Sequence, residues 1–94
     1  MLQQKEPIAV SEIRLYVVTT EKQAGHILDR MSDAFGDDDL AIATTEIDET
    51  RDIWEASVYL MVAEEDEVRG RFEAMLAREF PDLSIKREVI PDID

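Results

Sequence analysis

From position 13 the chain alternates in twos. Ile13, Leu15 and Val17 fall on one side and Arg14, Tyr16 and Val18 on the other, the spacing of a β-strand with one apolar face. Thr20, with Gln23 three positions on, has the form of a capping box, and Ala24, Ile27, Leu28, Met31 and Phe35 then recur at helical spacing until Gly36. Asp37, Asp38 and Asp39 make a loop, after which the small and β-branched run Leu40 to Ile47 reads as a second strand. Asp48 to Arg51 is a polar connection of hairpin length. Asp52 to Val62 follows as the third strand, with Trp54, Ala56, Val58, Leu60 and Val62 on one side. Glu64, Glu65, Asp66 and Glu67 place negative charge at the start of a second helix, whose buried stripe is Val68, Phe72, Met75, Leu76 and Phe80 and which Pro81 stops. Leu83, Ile85 and Val89 alternate with Ser84, Lys86 and Glu88 in a fourth strand that Pro91 ends.

The order is βαββαβ, two split βαβ units, and chains of this order close most simply as an α+β ferredoxin-like sandwich. That fold has a four-stranded antiparallel sheet in spatial order 4-1-3-2 with both helices on one face. The expected core is Ile13, Leu15, Val17, Ile27, Leu28, Met31, Phe35, Trp54, Ala56, Val58, Leu60, Phe72, Leu76, Leu83 and Ile85. Arg14, Tyr16, Glu55, Ser57, Tyr59, Lys86 and Glu88 fall on the opposite sheet face, which no predicted element covers and which therefore meets water or a partner. Residues 1–9 read as a flexible lead, 10–90 as the domain, and 91–94 as the start of a linker.

Composition narrows the class. Ninety-four residues, 45 % hydrophobic and 35 % charged, suit one folded domain and leave no room for a second lobe. There is no cysteine, so disulfides, thiolate metal sites and cysteine nucleophiles are excluded. No apolar run is long enough for a membrane span or a signal-peptide core, and a cytoplasmic location is expected. The net charge is -13 and is concentrated in the middle, where residues 41–67 carry nine acids against one base. Such a charge repels nucleic-acid backbones and anionic membranes and suits a basic protein partner, although acidity also simply keeps a small domain soluble.

Candidate catalytic groups are sparse. His26, the only histidine, falls off the apolar stripe of the first helix and reads as a surface residue, which leaves no base for a serine nucleophile. Gly25, Gly36 and Gly70 are isolated, so there is no glycine loop for a nucleotide. Asp37, Asp38 and Asp39 lack the alternating ligands and central glycine of a calcium loop, and no metal site is expected. Tyr16 and Tyr59 occupy the positions at which RNA-recognition sheets stack bases, but the acidity opposes RNA. A small-molecule regulatory module of the same βαββαβ order is the alternative reading, although Val18, Thr19, Thr20 and Glu21 supply no glycine-bearing turn for it.

Three segments carry a family likeness. Ser11 to Thr20 (SEIRLYVVTT), Ala43 to Tyr59 (ATTEIDETRDIWEASVY) and Arg87 to Asp94 (REVIPDID) together resemble the amino-terminal domain of the bacterial methyltransferases that modify ribosomal protein L11. The resemblance implies a ferredoxin-like substrate-recognition module, non-catalytic by itself. In the family a linker joins it to a separate domain that binds S-adenosylmethionine and transfers methyl groups to amines. On that reading the catalytic and cofactor-binding residues lie outside this chain, and the partner is a basic ribosomal protein of the L11 family. The oligomeric state stays open. Tyr16, Glu55, Ser57 and Tyr59 on the open sheet, with Asp37, Asp38 and Asp39, are the candidate partner-binding residues. Threading the strands alternately up and down places Asp37 to Asp39, Glu64 to Glu67, Asp92 and Asp94 at one end, an acidic pole expected to attract the basic substrate while the open sheet offers docking area.

Overall fold

The computed structural model describes residues 12–36 and 40–91. Its elements are β1 (Glu12–Thr19), α1 (Glu21–Phe35), β2 (Ala41–Asp48), β3 (Ile53–Met61), a 3-10 turn (Val62–Glu64), α2 (Glu65–Glu79) and β4 (Lys86–Ile90). The sheet order is β2-β3-β1-β4 with every pair antiparallel, which is the expected ferredoxin-like order read from the other edge.

Each local device has a visible cause. Thr20 is extended, and its Oγ1 accepts from the Gln23 backbone N–H at 3.3 Å, capping α1. The expected capping box is only half made, because Gln23 Oε1 accepts from the Thr19 hydroxyl at 2.8 Å. A carboxylate from another loop serves α1 instead: Asp52 Oδ1 accepts from the Glu21 N–H at 3.0 Å. Asp52 holds φ 57, the left-handed conformation that ends the β2–β3 turn, so one residue both closes the hairpin and ties it to the helix start. β2 slips register between Glu46 and Asp48, and the bulged Ile47 is left 52 % exposed.

The core lies between the sheet and the helices, as the periodicity requires. Ile13, Leu15 and Val17 of β1 meet Leu60, Val58 and Ala56 of β3 side by side, and Ala24, Ile27, Met31, Phe35, Val68, Phe72, Leu76 and Phe80 close over them. Phe35 and Phe72 join the helices edge to face, with ring centroids 6.5 Å apart. Outside that contact Arg30 Nε donates to Glu79 Oε2 at 2.6 Å, and Arg71 donates to the Ala34 carbonyl.

Several expectations shift: Val62 leaves the third strand for the 3-10 turn and is exposed, and Leu28 is only partly buried. Trp54 faces the helix layer but is only partly buried, because it pairs with Thr19 at the last rung of the β1–β3 ladder. The fourth strand begins at Lys86 and not at Leu83. The β1–β4 ladder runs only from Glu12↔Ile90 to Tyr16↔Lys86, so Leu83 and Ile85 pack against the core without a strand partner.

Candidate partner-binding face

The uncovered sheet face is built from the positions that the apolar set of two ladders leaves free. Pairing Arg14 with Tyr59 and Glu88, and Tyr16 with Ser57 and Lys86, puts all of these residues on the side away from the helices, as expected. Glu55 joins them through its pairing with Val18.

Arg14 is the hub of this face. Its Nη1 donates to Glu55 Oε1 at 2.7 Å and to Ser57 Oγ at 2.9 Å, and its Nε donates to Glu88 Oε1 at 2.6 Å. The guanidinium lies 3.8 Å from the centroid of the Tyr16 ring, a close cation–π stack. One side chain therefore clamps β1 to β3 and to β4. Its own side chain is 14 % exposed and that of Glu55 17 %, whereas Glu88 is 54 % exposed. Burial acts to lower the Arg14 pKa, but the hydrogen bonds and charges of Glu55 and Glu88 outweigh it and hold the group above its ordinary value.

This geometry revises the role of one candidate residue. Ser57 is fully buried beneath the Arg14 guanidinium, so it shapes the face without being open to a partner. Tyr16, Tyr59 and Glu55 are part-buried and remain at the surface. Asp37, Asp38 and Asp39 lie outside the described residues, as do Asp92 and Asp94. Of the acids at the start of α2, Glu64 Oε1 accepts from the Met61 N–H at 3.0 Å, and Glu65 pairs with Arg87 at 2.8 Å and Arg69 at 3.4 Å. Glu67 pairs with Arg71 at 3.9 Å. These contacts give three of the four acids a local structural task.

Sequence reasoning placed Arg14 on the open face but missed its role. The available signal was a cation on the central strand β1 whose flanking strands place acids and tyrosines on the same face. His26 is exposed on α1, on the far side of the sheet from Ser57, so the two cannot form a nucleophile and base. Among the described residues no group of three or more His, Asp or Glu is placed to hold a metal. No helix among them is long and apolar enough to cross a membrane.

No family model matches the chain. Relatives do. The chain is 65 % identical over 85 residues to a protein of Agrobacterium fabrum named ribosomal protein L11 methyltransferase. Proteins of the same name from Rhizobium etli (strain CIAT 652) and Rhizobium meliloti are each 61 % identical over 85 residues. The chain is homologous to a portion of these ribosomal protein L11 methyltransferases. The match takes in 90 % of this chain but only 29 % of each relative, so the chain spans less than a third of their length. The likeness read from the three segments is therefore borne out, as the sheet order bears out the ferredoxin-like fold.

Proposed function

We propose that this chain is the amino-terminal substrate-recognition module of a ribosomal protein L11 methyltransferase. It holds a basic ribosomal protein in the cytoplasm while a separate domain, linked beyond residues 91–94, carries S-adenosylmethionine and the transfer chemistry. The observation that carries the reading is the 65 % identity, which covers nearly all of this chain and only 29 % of its relative. The charge of -13 suits a lysine-rich partner, and the uncovered sheet face offers it a docking layer. The contribution to catalysis is positional. A tethered module that grips the substrate raises the local concentration of its amines near a methyl donor and leaves the linker to select among them.

The face is suited to docking because its charges are largely settled internally. Arg14 bonds both Glu55 and Glu88, and Lys86 on the same face brings the sum of these charges to zero, so a partner need not strip water from an unpaired carboxylate to cover Tyr16 and Tyr59. Titration calorimetry of this chain with purified L11 tests the reading. Saturable binding that weakens as ionic strength rises is expected, with no heat from S-adenosylmethionine. Failure to bind L11 at low salt, or equal binding of an unrelated lysine-rich protein, would remove the recognition role.

A further inference from the structure

Most carboxylates with a defined contact in this fold are matched by arginines: Glu55 and Glu88 by Arg14, Glu65 by Arg69 and Arg87, Glu79 by Arg30. Of the acids without an arginine partner, two lie together at the end of the sheet where β1 begins and β3 finishes. Among the described residues Glu12 and Glu64 form no ion pair, yet both converge on Met61. Glu12 is its cross-strand partner on β1, and Glu64 folds back from the 3-10 turn to accept its N–H at 3.0 Å, which leaves the second carboxylate oxygen available. Between them opens a cleft of about 340 Å³, lined also by Leu40, Tyr59 and Met61. Tyr59 also belongs to the uncovered sheet face, so cleft and face are one continuous surface.

We propose that this cleft takes a lysine side chain of the basic protein partner, its methylene stem against Leu40, Met61 and Tyr59 and its ammonium between Glu12 and Glu64. The inference rests on the recognition role proposed above and deepens it by naming where the partner is gripped. Charge complementarity decides the occupant. A second copy of a chain of charge -13 would bring further acids to a site that already holds two, whereas a lysine matches an open cleft with apolar walls and a carboxylate rim. The face supplies neutral area and the cleft supplies the charge, which divides affinity from orientation along one surface.

Two arms of one experiment separate this inference from the reading beneath it. In the first, a capped Gly-Lys-Gly peptide is titrated into the chain and followed by amide chemical shifts, with the norleucine peptide as an uncharged isostere. Saturable shifts confined to Leu40, Ala41, Tyr59, Met61 and their neighbours are expected for lysine and not for norleucine. In the second, L11 affinity is measured for the Glu12→Gln/Glu64→Gln variant, in which the side-chain amide oxygen introduced by Glu64→Gln can still accept the Met61 N–H. Losing two part-exposed charge contacts should weaken L11 binding about three- to tenfold and flatten its salt dependence. Unchanged L11 affinity in the variant overturns the cleft assignment while leaving L11 as the partner. Lysine shifts at the cleft without any L11 binding by the parent chain would uphold the cleft and overturn L11 as its occupant.

Discussion

Replacing Arg14 by Met removes the cation that joins three strands on the open face, and its cost can be worked from the contacts it breaks. Glu55, 17 % exposed, loses its only ion-pair partner among the described residues, and the fully buried Ser57 hydroxyl loses its donor. Breaking a fully buried pair costs about 3–5 kcal/mol, and the access of water at Arg14 and Glu55 brings this to about 1–2 kcal/mol. The Ser57 hydrogen bond adds about 0.5–1.5 kcal/mol, and the half-exposed Glu88 contact adds well under about 1 kcal/mol. Methionine keeps the apolar contact over the Tyr16 ring, so the loss reports mainly charge and hydrogen bonding. The expected destabilisation is about 2–3 kcal/mol, or a fall in Tm of roughly 10–20 °C for a domain of this size. Urea unfolding followed by far-UV circular dichroism measures it. The Arg14→Met/Glu55→Met double variant should recover part of the loss, because an apolar pair replaces both charges at once. A single variant within about 0.5 kcal/mol of the parent, or a double variant whose loss is the sum of the two singles, would refute the claim that the network is shielded enough to matter.

Other expectations follow from single contacts. Phe72→Ala empties the fully buried half of the edge-to-face pair with Phe35 and should cost about 3–5 kcal/mol by urea unfolding. Gly70→Ala meets nothing within 4 Å on a helix interior position without positive φ and should stabilise by about 0.5–1 kcal/mol, as a rise in the urea midpoint. Asp52→Asn keeps an acceptor for the Glu21 N–H and tolerates the left-handed turn, whereas Asp52→Ala loses both and should lower stability by about 1–2 kcal/mol. The Arg87 hydrogen bond, reinforced by the charge of Arg87 and by Arg69, holds the Glu65 carboxyl below the usual carboxylate range. Because the folded pKa is the lower one, this stabilisation is complete above the unfolded value of about 4.3 and fades as pH falls through the folded value. The urea-midpoint difference between parent and Glu65→Gln should therefore shrink below about pH 4 and hold steady above it.

The face each residue takes was legible because it depends on period alone. Ile13, Leu15 and Val17 alternate with Arg14 and Tyr16, and one slip of register would have exposed the whole apolar set, so the pattern admits one solution. Height along the sheet has no such signature. Trp54 is on the right face and still only partly buried, since it sits at the last rung opposite Thr19. Alternation also does not report pairing: Leu83 and Ile85 obey it because both must reach the core, while the β1–β4 ladder stops at Tyr16↔Lys86 although β1 itself runs on to Thr19. Val68 in the first turns of α2 and Phe80 at its C-cap continue the helix's apolar stripe and prove buried with the central residues.

The site was legible as a surface and not as a mechanism, and the difference lies in what a long side chain can reach. Tyr16, Glu55, Ser57 and Tyr59 share a face by period, but Arg14 stands directly opposite Tyr59 and bonds instead to Ser57 and Glu55, two and four positions along β3. That diagonal reach buries Ser57, which the period leaves facing solvent, and discharges the acids that a count of charges assigns to attraction. An acidic chain thus presents a nearly settled face beside a rim where Glu12 and Glu64 form no ion pair among the described residues. Under the proposed function, long-range steering by a charge of -13 does not need the proposed docking face to be acidic, because exposed carboxylates anywhere on the molecule accelerate encounter with a basic protein. What the face needs in the docking role proposed for it is low desolvation cost, and Arg14 supplies it by holding Glu55 and Glu88 in advance.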